Sequence, residues 1–158
     1  MSGQAWHDVD DYIAGHLLGD DDALSAALEN NHRKGLDPID VSATQGKMLY
    51  LFARMCRAKR ILEVGTLGGY STICLARSLP ADGKLVTLEL EPHHAAVARE
   101  NLERAGLAEK IDIVVGPAVD SLAAMQVVEP FDLIFIDADK ANNVQYLREA
   151  IRLGRSGT

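Results

Sequence analysis

A chain of 158 residues of which 47% are hydrophobic can bury roughly two thirds of its unfolded surface and is expected to fold as one globular unit. Sixteen Lys and Arg against 23 Asp and Glu leave a net charge of −7, a surface that repels phosphate backbones and anionic headgroups and so argues against nucleic-acid binding. No apolar run approaches about 18 residues, and Met1 to Asp11 lacks the basic-then-apolar order of a signal peptide, so the expected location is cytoplasmic, away from the membrane.

The first 60 residues read as helical. Val9, Ile13, Leu17 and Leu18 recur at helical spacing, Leu24 to Leu28 continues the pattern after an acidic break, and Met48 to Met55 repeats it. Between the last two lies Lys34-Gly35-Leu36-Asp37-Pro38-Ile39-Asp40-Val41-Ser42, a turn-rich connector in which Ser42 is placed to cap a helix starting near Ala43. Cys56 and Cys74 sit singly in apolar contexts, without metal-ligand spacing, and are expected to be buried free thiols.

From Arg60 onward, apolar strands alternate with amphipathic helices, the signature of βαβ units and a parallel sheet covered on both faces. The strands are expected at about 60–64, 84–89, 110–115 and 131–137, and the helices at about 71–78, 92–105, 119–126 and 142–153. Pro92 suits a first helical position, and Gly106 a left-handed stop. Leu153-Gly154-Arg155-Ser156-Gly157-Thr158 reads as a helix end and turn leading toward a further strand. The expectation is therefore a fold cut short, with Phe131 to Ile136 at an uncovered edge; the alternative is a compact four-stranded relative whose edge a partner subunit covers.

In an open parallel sheet the ligand sits beyond the carboxyl ends of the strands, so the residues leaving each strand carry the candidate chemistry. The first end, Glu63-Val64-Gly65-Thr66-Leu67-Gly68-Gly69-Tyr70-Ser71, is a glycine-rich turn that permits close backbone approach by a ligand. Its spacing is not the G-x-G-x-x-G of dinucleotide binders. At the second end Glu89 lies 24 positions after Gly65, near the ~20 expected for a carboxylate that accepts ribose hydroxyls. The other reading of Glu89 is a solvated strand-end acid, and Glu91 is a neighbouring competitor suited to a helix dipole. Gly116-Pro117-Ala118 offers small residues against which an adenine could lie. Asp137-Ala138-Asp139-Lys140 brings two carboxylates and an amine to the same crevice, able to supply cation ligands and a base, or else to cap the following helix. His93 and His94 fall in the first turn of a helix, where exposure is expected rather than metal ligation. Ser71 lacks the G-x-S-x-G setting of a nucleophile.

Taken in order, the connector 37–41, the Glu63 to Ser71 turn, Glu89, Gly116-Pro117-Ala118 and Phe131-Asp132-Leu133-Ile134-Phe135-Ile136-Asp137-Ala138-Asp139-Lys140 resemble the class I S-adenosylmethionine-dependent O-methyltransferases of the catechol and caffeoyl-CoA type. The resemblance covers about residues 36–158. It implies a Rossmann-like α/β fold, with residues 60–158 forming the cofactor-binding units and residues 1–59 a helical segment that covers the substrate and helps form a homodimer. It further implies that the Val41 backbone and Ser71 hold the methionine carboxylate of S-adenosylmethionine, while Glu63, Gly65 and Thr66 line that end of the pocket. Glu89 would hold the ribose and Ala118 contact the adenine. Asp137 would approach the methionine amine and bind a divalent cation, magnesium in the expected case, and Lys140 would be the general base.

Relatives of this type continue into a fifth strand whose Asp-Asn pair completes the metal site, which leaves Asp137 as the single ligand of that set before Thr158. The resulting expectation is metal-dependent methyl transfer to a phenolic hydroxyl of a small molecule. The alternatives are a truncated, non-catalytic S-adenosylmethionine-binding module or inactive dimer partner and, disfavoured by the glycine spacing, a nicotinamide oxidoreductase.

Overall fold

A computed structural model describes residues 3–126 and 128–158. Met1 and Ser2, where the signal-peptide reading begins, and Val127 lie outside the described residues. Three helices come first, α1 (Gly3–Leu17), α2 (Asp22–Arg33) and α3 (Ala43–Met55). Then follow β1 (Arg60–Val64), α4 (Tyr70–Ala76), β2 (Lys84–Glu89), α5 (Pro92–Arg104), a 3-10 turn (Ala108–Lys110), β3 (Ile111–Val115), α6 (Ala118–Ala124), β4 (Leu133–Ile136) and α7 (Asn143–Leu153).

Local chemistry accounts for where the helices begin and stop. Ser42 and Gln45 form a reciprocal capping box at the start of α3, which satisfies two backbone donors that the helix itself leaves orphaned. Asp21 accepts the Leu24 N–H at 3.0 Å at the start of α2 and also pairs with Arg77 beyond the end of α4, fastening the N-terminal segment to the sheet layer. Pro92 opens α5, and Gly106 (φ +69°) follows its C-cap. Strand β3 begins one residue later than expected because the 3-10 turn holds Lys110, and β4 is shorter at both ends. Its flanks still bond to β1: Asp132 N–H donates to the Arg60 carbonyl (2.8 Å) and Asp137 N–H to that of Val64 (2.9 Å).

The sheet is parallel throughout, in the order β3-β2-β1-β4. Its alternation sorts side chains to two cores. Ile61, Leu85, Ile111, Leu133 and Phe135 join a cluster with Ile73, Leu75 and Leu102 from α4 and α5. Leu62, Val64, Leu88, Ile134 and Ile136 join the opposite one with Leu122, Tyr146 and Leu153 from α6 and α7. Ile61 and Leu62 are fully buried on opposite faces, each worth about 2 kcal/mol of apolar burial. Helices thus cover both faces of a Rossmann-like sheet, as expected.

Two placements refine the sequence reading. Cys74 is buried and Cys56 is not, because Cys56 is the C-cap of α3, where the chain turns outward into Arg57 (φ +53°). Burial pushes the Cys74 thiol up to about 12, which makes it inert at neutral pH. Strand β4 pairs with β1 alone among the described residues and is half-buried along its length.

Candidate functional site

The chain order steps outward from β1 to β2 to β3, then returns to the other side of β1 for β4. The carboxyl ends of β1 and β4 therefore flank a topological switch point, where open α/β sheets leave a crevice. A crevice of about 640 Å³ lies there, walled by the 39–41 connector, the turn after β1, the ends of β2 and β4, and the start of α6. Val41, Gly65, Thr66, Ser71, Glu89, Ala118 and Asp137 all line it.

Gly65 makes the turn after β1 possible. Its φ is +101°, and a Cβ there would lie 2.1 Å from the Asp137 carbonyl oxygen, so only glycine fits. Leu67 also adopts positive φ (+50°), costly for a branched residue, and a carboxylate holds the strained turn in place. Glu89, only 6% exposed, accepts the N–H of Thr66 (3.1 Å) and of Leu67 (2.8 Å) at Oε2. Its Oε1 accepts the N–H of Glu91 (3.0 Å) and faces His94 Nδ1 at 3.4 Å. Each oxygen has two in-plane lone pairs: Oε2 is filled by the turn, and Oε1 keeps one for the crevice that Glu89 borders. Glu91 lines the crevice too, but it is exposed and its side chain caps no backbone group of α5.

Glu63 lies below the crevice instead of lining it, because residue 63 shares the sheet face of Ile61. It accepts hydrogen bonds from Ser71 (2.6 Å), Thr72 (2.5 Å) and Thr87 (2.7 Å), while Thr66 and Thr87 hydroxyls meet at 2.6 Å. Burial, opposed by those three hydroxyls and reinforced by the charge of Asp137, raises its carboxyl to about 7. Ser71 lines the crevice with its single hydroxyl proton given to Glu63; when Glu63 is protonated, that proton is free to turn toward a ligand.

A carboxyl raised from 4.5 to about 7 on folding binds more protons in the native state, so stability is lost as pH rises through that window. Compared with Glu63→Gln, the wild type should lose on the order of 3 kcal/mol between pH 4.5 and pH 8. Urea unfolding of both proteins at pH 5 and pH 8 checks this, and parallel pH profiles would refute it.

Of the carboxylates after β4, Asp137 is exposed at the crevice mouth. Asp139 is committed: it accepts Tyr146 Oη (2.5 Å) and both the backbone and side-chain N–H groups of Asn142 (3.0 Å each). These bonds, that from Tyr146 foremost, hold its carboxyl below the usual range; burial, then Asp139, push the Tyr146 phenol up to about 12. Asp139 thus ties the acidic turn to Asn142 and Tyr146 at the start of α7, whose backbone receives no side-chain cap. Lys140 is exposed and is not among the residues lining the crevice. His93 is exposed as expected, whereas His94 is half-buried against Glu89. His94, Asp40 and Tyr146 are lining residues that the strand-end rule does not reach, since they come from the first turns of α5 and α7 and from the connector. Among the described residues no group of three or more His, Cys, Asp or Glu side chains converges as a metal site.

Comparison with known proteins bears on this crevice directly. Residues 18–158 match the O-methyltransferase family. The chain is 55% identical over 150 residues to a catechol O-methyltransferase of Mycobacterium tuberculosis, covering 95% of this chain and 68% of that protein. It is 51% identical over 162 residues to a catechol O-methyltransferase of Niastella koreensis, covering 100% and 72%. The crystal structure of an O-methyltransferase from Bacillus cereus in complex with SAH superimposes with a TM-score of 0.93 at 47% identity, over 96% of this chain and 70% of that one. With a family match over residues 18–158 and this likeness in sequence and fold, the chain belongs to the O-methyltransferase family.

Proposed function

We propose that the chain binds S-adenosylmethionine in the strand-end crevice and transfers its methyl group to a phenolic hydroxyl of a small catechol-like or caffeoyl-type acceptor. The observation that carries this reading is Glu89: a nearly buried carboxylate, locked by three backbone N–H groups at the end of β2, bordering the crevice. S-adenosylmethionine, when bound, supplies an electrophilic methyl group on a sulfonium, so attack by oxygen forms the O–C bond as the C–S bond breaks and S-adenosylhomocysteine leaves.

The chain's own groups fit the parts of that molecule. Glu89 holds the ribose by accepting a hydroxyl at Oε1, Ala118 meets the adenine through its backbone, and Gly65 and Thr66 bring the turn close to the sulfonium side. The Val41 backbone and Ser71 take the carboxylate, the Ser71 proton turning to it once Glu63 is protonated. Asp137 receives the amine. Lys140 removes the acceptor's hydroxyl proton.

A divalent cation, with magnesium favoured by hard oxygen donors, would take Asp137 as one ligand. The described residues alone do not assemble a chelating set, and no step above passes through the ion. Residues 1–59 act in this proposal as the substrate-covering and dimer-forming segment, and residues 60–158 as the cofactor-binding one. The solvent-facing strip of Met48, Leu51, Phe52 and Met55 on α3 supports a homodimer, since a second copy would cover it. No described helix is long and apolar enough to cross a membrane, which accords with the proposed cytoplasmic location.

Calorimetric titration with S-adenosylmethionine, S-adenosylhomocysteine and NAD, with and without magnesium, tests the reading. Micromolar binding of both adenosyl ligands and none of NAD is expected; a folded sample that binds neither adenosyl ligand overturns it. Lys140→Ala should leave that affinity unchanged and lower methyl transfer to catechol by at least about a hundredfold. Undiminished transfer would remove Lys140 from the base role.

A further inference from the structure

Three asparagines lie where an apolar core would be cheaper. Asn30, Asn31 and Asn101 are 1%, 2% and 1% exposed, and a buried amide is costly unless its donors and acceptor are all engaged. They are engaged with one another. Asn30 Nδ2 donates to Asn101 Oδ1 (2.9 Å), and Asn101 Nδ2 donates both to Asn31 Oδ1 (2.9 Å) and to the Gly68 carbonyl (2.8 Å). Asn31 Nδ2 then donates to Asp40 Oδ1 at 3.1 Å. The chain of amides thus starts at the turn after β1, crosses α5 and α2, and ends on a connector residue that lines the crevice.

The packing leaves little slack. A Cβ at Gly68 would lie 1.9 Å from Asn31 Oδ1, so the turn rests directly on the amide. The same turn presents the Thr66 and Leu67 N–H groups to Glu89. Asp40 sits between two other lining residues of the connector, Ile39 and Val41. The relay therefore touches both sides of the crevice, and it touches them through directional bonds that fix a geometry, which apolar contacts would not.

We propose that Asn31 and Asn101 are positioning residues that set the distance between the 39–41 connector and the glycine-rich turn, and through it the grip on the cofactor. The proposal rests on the cofactor reading given above and adds residues that lie outside the crevice lining. Asn31 is the discriminating member, because its amide nitrogen must face a carboxylate while its oxygen faces Asn101.

Asn31→Asp keeps the shape and the acceptor toward Asn101 but sets two carboxyl groups against each other at position 40. Asn31→Asp with Asp40→Asn restores a donor and an acceptor across the same gap, now in reverse. The single variant should bind S-adenosylhomocysteine roughly tenfold more weakly, and the double variant should return to within about threefold of wild type. Hydrogen exchange followed by mass spectrometry supplies a readout that needs no ligand: amides of the 37–41 and 66–69 segments should exchange faster in Asn31→Asp and slow again in the double variant. If the wild type binds no adenosyl ligand, the cofactor reading fails and exchange alone decides the relay. A purely structural role predicts a lower melting temperature with unchanged affinity and unchanged exchange in those two segments; that result, or a double variant no better than the single, overturns the proposal.

Discussion

Glu89→Ala should weaken S-adenosylhomocysteine binding by roughly ten- to a hundredfold, the loss of a charge-assisted hydrogen bond at Oε1 worth about 1.5–3 kcal/mol. The substitution removes more than a ribose acceptor. It also strips the N–H groups of Thr66, Leu67 and Glu91 of their shared partner, and with it the restraint on the left-handed backbone of Leu67. A fall in stability of about 2 kcal/mol should accompany the loss of affinity. Glu89→Gln keeps the side-chain shape and one acceptor oxygen but turns an amide N–H against at least one of the backbone N–H groups that the two oxygens now accept, so it should lose roughly tenfold in affinity and about 1 kcal/mol of stability, less than Glu89→Ala. Calorimetry and urea unfolding of both variants read these quantities. Full affinity in Glu89→Ala would show that the ribose is held elsewhere.

Gly65→Ala should destabilise the chain by about 3 kcal/mol or more, with a melting temperature lower by roughly 10 °C for a chain of this size. Two costs coincide at Gly65. Its φ of +101° is one that L side chains rarely adopt, and the added methyl would press on the Asp137 backbone oxygen, which cannot rotate away as a side chain could. Relief requires the ends of β1 and β4 to part, opening the floor of the crevice. Gly106→Ala is the control: φ is +69° there too, but the space is open, so only backbone strain of about 1 kcal/mol applies. Differential scanning calorimetry distinguishes the pair, and equal losses in both would mean that the steric contact at Asp137 contributes nothing.

Much of this site is legible in the sequence, because strand ends are local features. The short apolar runs near residues 61, 85, 111 and 133 locate the four strands, the rule that ligands lie beyond parallel strand ends narrows the candidates to the segments that leave them, and the family resemblance picks Gly65, Glu89, Ala118 and Asp137 from those. Side-chain direction is less legible. Residues 61 and 63 share a face, so the alternation that buries Ile61 also sends Glu63 beneath the crevice, where its partners Ser71, Thr72 and Thr87 come from α4 and β2. Partners remote in sequence are not legible at all. Asn31 and Asn101 lie 70 positions apart, and each alone looks like an ordinary polar residue on a helix. Cys56 was misplaced for a similar reason: an apolar neighbourhood in sequence does not reveal that a helix ends there and turns outward.

The sheet order also ranks the parts of the crevice by the chain entropy needed to assemble them. Closing β1 on β2 joins Arg60 to Lys84, whereas closing β1 on β4 joins Ile61 to Leu133, a loop about three times longer that costs roughly 1 kcal/mol more to close. The glycine turn and the carboxylate that restrains it both belong to the shorter loop. The Glu89 half of the crevice is thus specified within a single βαβ unit, and the Asp137 wall is the long-range addition to it.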